Sequence, residues 1–180
     1  IYDNYSDGVE FLIEAECSHK KPVILVSGDD AALAIDAQKI VLSSKYHVPY
    51  SSKYSLDYLM KKDVMNEMAS KVGINVPKSV LLCKNEPNPL SFPLLLKPLV
   101  SVDGTKSDIK ICNNQNELIN YWENSKLNRV LATEFVEKDY EVCILCAKTN
   151  NNPTIIPGVV KKIRHMPLIY GARSYARILK

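Results

Sequence analysis

No apolar run in the 180 residues approaches the roughly 20 that a membrane-spanning helix requires. The opening stretch IYDNYSDGVEFL carries acids where a signal peptide has basic residues followed by an apolar core. It also lacks an initial Met, as a fragment would. No G-x-G-x-x-G follows the apolar run VILV at 23–26, which counts against a dinucleotide-binding oxidoreductase domain. Cys143 and Cys146 form one CxxC, but no second CxxC or nearby histidine pair completes a zinc set. A spacing of three in the strand-like YEVCILCAK also points the two thiols to opposite faces. The five cysteines, at 17, 83, 112, 143 and 146, are therefore read as small buried apolar residues of an intracellular protein. Internal repeats and low-complexity tracts are lacking as well. What is left is the balance of a soluble, globular protein, 46% hydrophobic and 24% charged, long enough for one ordinary domain or two small ones, and its expected location is cytoplasmic.

The net charge of +3 is an average over two unlike regions. Lys161, Lys162, Arg164, Arg173, Arg177 and Lys180 all fall in the last twenty residues, which hold no acid, so the remainder is net negative. A nucleic-acid-binding module spreads its basic residues along a face and interleaves aromatics. A single basic block suits an anionic small molecule better. The expected partners are small molecules, with no nucleic acid and no membrane.

Along the chain, Ser6 is a plausible N-cap for a helix over 6–19. The run VILV, ending in Ser27-Gly28-Asp29-Asp30, predicts a buried parallel strand followed by a helix over 29–43 whose acids sit at the positive end of its dipole. Helix, strand and helix in this order fit the end of a doubly wound α/β unit, and HVPYSSKY at 47–54 fits a linker. A long helix over 55–72 follows, closed by Gly73. Strands are expected at 79–83, 92–97, 108–112, 129–135, 140–148 and 154–162. A helix capped by Asn113-Asn114 with Glu117 ends near Ser125.

Three features carry candidate chemistry. Lys62 opens a helical pattern in K-D-V-M-N-E-M-A-S-K-V-G-I-N-V-P, where an isolated lysine is ordinarily a solvated charge. Lys97 closes F-P-L-L-L-K-P, a strand that reads as buried. Charged side chains are seldom buried without a partner, and a polyphosphate is a fitting partner for a lysine ammonium. Glu134 and Glu141 bracket a strand end and the next strand start in L-A-T-E-F-V-E-K-D-Y-E-V.

The order and spacing of these elements, over roughly residues 54–163, resemble the ATP-grasp superfamily, in the branch that holds carbamoyl-phosphate synthetases and related carboxylate–amine ligases. A basic residue opening a helix that ends in G-I-x-V-P is matched by Lys62 and Gly73-Ile74-Asn75-Val76-Pro77. The P-x-x-x-K-P strand end is matched by Pro93 to Pro98. The resemblance implies ATP phosphate binding by Lys62 and Lys97 and by a loop at 101–107 that includes Gly104, Thr105 and Lys106. Only Gly104 remains of the family's usual glycine pair. Asp103 holds the other place, a charge that Lys106 or a cation must offset beside a triphosphate. Glu134, Phe135 and Val136 fill the hinge that meets adenine, and Glu141 falls where the family places its ribose-binding carboxylate.

The basic stretch K-K-I-R-H-M-P-L-I-Y-G-A-R-S-Y also resembles this branch, which makes Arg164 and Arg173 candidates for a substrate carboxylate or a phosphate. By the same resemblance the cofactors are ATP and Mg2+. Since no acid follows Glu141, the magnesium ligands are expected outside this chain. The implied fold is α/β: residues 1–50 as the end of a preATP-grasp, Rossmann-like domain, and 51–180 as an ATP-grasp nucleotide-binding region incomplete at its C-terminal end. The implied activity of the parent protein is ligation of a small carboxylate to an amine or ammonia through an acyl phosphate. The chain alone is expected to bind ATP weakly and to turn over nothing. The alternative left open is a non-catalytic, degenerate nucleotide-binding or interaction module, for which Asp103 is the best support.

Overall fold

The first helix, α1 (Tyr5–Glu14), starts one residue earlier than expected. Asn4 rather than Ser6 caps it, with its side-chain oxygen accepting from the Asp7 N–H at 2.9 Å. A computed structural model describes residues 4–16, 20–51, 53–100, 108–148, 152–166 and 172–179 of the chain. The predicted second helix is two, α2 (Asp29–Ala37) and α3 (Lys39–Lys45), broken at Gln38, whose ψ of 17° leaves the helical range. Val9, Ile35, Leu42 and Tyr46 form a small apolar core between these three helices. The Tyr46 hydroxyl donates to the Leu12 carbonyl at 3.0 Å, so its polar tip is satisfied.

The run at 23–26 is not the buried parallel strand expected from its apolar residues. Among the described residues it makes one parallel bridge, Val23 with His47, and Leu25 is 89% exposed. Parallel strands are buried when neighbours flank them and helices cover both faces. Here a single residue supplies the pairing.

Asp36 fastens the linker region to α2. It pairs with Lys39 at 3.0 Å and accepts from the Leu56 N–H at 2.8 Å, while Lys39 also donates to the carbonyls of Ser51 and Tyr54.

The long helix expected over 55–72 is likewise two, α4 (Leu56–Leu59) and α5 (Lys62–Lys71). Lys61 is extended between them, and the Lys62 N–H turns to the Leu99 carbonyl at 3.1 Å. A tertiary hydrogen bond thus replaces the helical one. Gly73, at φ +81°, then closes α5. Its N–H donates to the Ser70 carbonyl, and the Ile74 N–H donates to that of Ala69, the paired bonds of a left-handed helix terminus.

Next come β1 (Ser79–Cys83), β2 (Leu94–Lys97), β3 (Lys110–Cys112), α6 (Gln115–Asn124) and β4 (Arg129–Glu134). The strands form an antiparallel four-stranded sheet in the order β1-β4-β2-β3. α6 begins with the reciprocal cap expected of it: Asn114 accepts from the Glu117 N–H, and Glu117 accepts from the Asn113 N–H. Its Leu118 and Trp122 pack on one sheet face against Leu82, Leu94, Leu96, Cys112, Val130 and Ala132. Because side chains alternate along a strand, this leaves Lys97 on the opposite face, across from Leu131 in the register.

After the hinge at 135–140, β5 (Glu141–Ala147), β6 (Ile155–Met166) and β7 (Ala172–Leu179) build a second antiparallel sheet. β6 runs past its predicted end at 162, and β7 was not expected at all. Its basic side chains hid an extended segment that only pairing with β6 organises. Cys112 is buried as expected, and Cys83 and Cys143 are half-buried. Cys146 is exposed, at a register shift between Leu145 and Ala147 where the ladder does not hold it inward. Cys17 lies outside the described residues.

Candidate nucleotide site

The break before α5 ties Lys62 to the chain that follows Lys97. The Lys62 amine donates to the Pro98 carbonyl at 2.9 Å and to the Leu99 carbonyl at 3.3 Å, the two residues that follow Lys97 in the chain. Lys97 itself is half-buried, and among the described residues it has no hydrogen-bond or ion-pair partner. Burial pushes its amine below the ordinary lysine pKa. The charge of Lys138 pushes the same way, and that of Glu141 opposes it. A desolvated ammonium within reach of one carboxylate and a second ammonium is a site short of negative charge.

Glu141 opens β5 and holds two lysines, Lys138 from the hinge on one oxygen and Lys162 from β6 on the other. Burial raises its pKa, but the hydrogen bonds and charges of the two lysines outweigh that and leave it at about 2. The depressed value means its contribution to stability is complete above the usual carboxylate range and is lost as the pH falls toward about 2. We expect urea unfolding of the wild type to lose on the order of 2 kcal/mol more than Glu141→Gln between about pH 5 and pH 2, after allowance for solvent screening. Parallel curves for the two proteins would show that the ion pairs contribute nothing.

Glu134 and the hinge are partly committed to the fold. A Glu134 carboxylate oxygen accepts from the Lys78 N–H at 2.9 Å, and the Phe135 N–H donates to the Pro93 carbonyl at 3.0 Å. Among the described residues, the Phe135 carbonyl and the Val136 backbone remain for a ligand edge.

Arg164 is exposed on β6, opposite Tyr175. Arg173 pairs with His165 on β7, and its side chain lies outside the described residues. Gly104, Thr105 and Lys106 lie outside them too. Sequence reasoning missed Lys138 and Lys162 as site residues. Lys138 had a signal, three residues before Glu141. Lys162 had none beyond its place in the basic block, because its position opposite Glu141 is a property of the β5–β6 register.

A lysine ends the second strand of a four-stranded antiparallel sheet, a hinge follows, and a carboxylate opens a second antiparallel sheet; solved structures with a similar fold include ATP-grasp ligases. N5-carboxyaminoimidazole ribonucleotide synthetase from Thermotoga maritima matches 87% of this chain and 39% of its own, with a TM-score of 0.59 and 21% identity. D-alanine–D-alanine ligase from Bacillus anthracis, solved in complex with ATP, matches 99% of this chain and 57% of its own, with a TM-score of 0.65 and 17% identity. In sequence, the formate-dependent phosphoribosylglycinamide formyltransferase of Prochlorococcus marinus strain AS9601 is 26% identical over an alignment of 136 positions, covering 69% of this chain and 34% of the relative. The chain thus spans about a third of the length of the curated relatives it matches. No protein-family profile matches it. At these identities the likeness is one of fold.

Proposed function

We propose that this chain is the ATP-binding portion of an ATP-dependent ligase that joins a small carboxylate to an amine or ammonia. One observation carries the reading: the half-buried Lys97 amine has no partner within bonding distance among the described residues, yet lies in electrostatic reach of Glu141, which opens the second sheet. A ligand that is anionic at one end and hydroxylated at the other suits both groups. Lys97 and Lys62 face the triphosphate, and Gly104, Thr105 and Lys106 are assigned to the phosphates as well. The backbone of Phe135 and Val136 meets adenine, and Glu141 accepts from the ribose hydroxyls. Arg164 and Arg173 are assigned to the carboxylate substrate or a phosphate. Residues 1–50 belong in this reading to the end of a preceding α/β domain, and 51–180 to the nucleotide-binding region.

In the parent protein, the terminal phosphoryl group of ATP passes to a carboxylate oxygen, giving an acyl phosphate and ADP. Attack by the amine then gives the amide and releases phosphate. The residues described here do not fit the magnesium that such chemistry uses. Among them no three potential ligands converge, and Glu141, the last acid in the sequence, is taken by two lysines. In this reading its ligands are assigned to residues outside this chain.

Titration calorimetry of the purified chain with ATP, and with NAD in competition, tests the proposal. Weak ATP binding that NAD displaces poorly is the expected result. No heat with ATP at millimolar concentration, or tighter binding of NAD, overturns it.

A further inference from the structure

Glu141, the proposed ribose acceptor, has both oxygens occupied before any nucleotide arrives. Lys138 approaches from the hinge, three residues earlier, and Lys162 stands directly across from Glu141 in the β5–β6 register. The Glu141 and Lys162 side chains are only 28% and 25% exposed, so this pair is shielded better than an ordinary surface ion pair. The neighbouring Lys161 is engaged elsewhere, its amine 4.0 Å from the centre of the Tyr140 ring. Two ammonium groups thus hold one carboxylate, whose charge also acts on the more distant Lys97.

We propose that Lys138 and Lys162 clamp Glu141 in the nucleotide-free chain and transfer to the phosphates when a nucleoside polyphosphate enters, so that the site refuses nucleosides lacking phosphate. The inference rests on the nucleotide reading of Glu141. Ribose hydroxyls must compete with two charge-assisted hydrogen bonds for the carboxylate oxygens. Adenosine offers the displaced ammonium groups nothing in return and leaves them partly desolvated and unpaired. ATP supplies new anionic partners for them at the same moment. The clamp therefore couples the sugar end of the site to its phosphate end. Lys138 and Lys162 are positioning residues, acting through Glu141 and then on the phosphates.

The test compares ATP and adenosine in competition against a fluorescent ATP analogue, on the wild type and on the double variant Lys138→Met/Lys162→Met. The clamp predicts opposite signs: ATP weaker by about tenfold, because charge-assisted bonds to phosphate are lost, and adenosine tighter by about threefold, because Glu141 is freed. Lys138→Arg/Lys162→Arg keeps the charges and restores the wild-type preference. Adding the Met pair to a Glu141→Gln background gives adenosine no gain. If both ligands weaken together, or neither changes, the clamp is refuted while wild-type ATP binding upholds the nucleotide reading. Should the wild type bind no ATP, both fall. Circular dichroism of the Met pair separates a damaged fold from a changed site, and in the event of damage the single variants are scored by the same opposite signs.

Discussion

Lys97→Met is expected to weaken ATP binding by about a hundredfold, near 3 kcal/mol, and at the same time to stabilise the chain by about 1 kcal/mol. Both effects have one source. The half-buried Lys97 amine is partly desolvated without an ion pair among the described residues, which costs folding energy and makes the amine a strong partner for an arriving phosphate. Methionine fills a similar volume and has no charge to desolvate. The pH dependence follows from the direction of the shift. Because the folded-state pKa lies below the ordinary lysine value, the unfolded chain binds more protons between the two values, and stability climbs with pH there. The Met variant lacks that climb. Calorimetry measures the first effect and urea unfolding across alkaline pH the second. A variant that loses stability and keeps its ATP affinity would make Lys97 a structural residue.

Leu96→Ala is expected to cost about 3 kcal/mol, measured as a fall in the urea midpoint. Leu96 is fully buried on β2, between β3 and β4, and packs in the cluster that includes Leu118 and Trp122 of α6. Truncation leaves a cavity at the centre of that cluster, in a domain whose whole stability is on the order of 5–15 kcal/mol. The same strand aims Lys97 from its other face, so a loosened β2 blurs the site as well. Leu81→Ala is the control. It sits on β1 with 40% of its surface exposed and should change stability by no more than about 0.5 kcal/mol. Equal costs at the two positions would mean that the packing described here does not hold the sheet.

The elements that could be read before any coordinates were those with local causes. Asn114 and Glu117 satisfy one another's neighbouring N–H groups within a few residues, so the start of α6 is written in its own sequence. Gly73 is the residue that tolerates φ +81°, so the end of α5 is as well. The strand ending at Lys97 was visible because an apolar run closing on a charge is uncommon. Where a distant partner intervened, local reading failed. α4 and α5 read as one helix, but the Leu99 carbonyl takes the Lys62 N–H. The run at 23–26 read as a buried strand, but burial depends on neighbours, and among the described residues it has one bridge.

Residue types and their spacing, together with the family resemblance they carry, thus determined which side chains were candidates: Lys62, Lys97 and Glu141, on a helix start and two strand ends. Tertiary structure alone decided what surrounds them. The cross-strand register put Lys162 opposite Glu141, and the alternation of β2 turned Lys97 away from the apolar core. Caps and periodicity act over a few residues and leave a trace in the sequence. Register and burial depend on contacts between segments tens of residues apart, which no local pattern encodes.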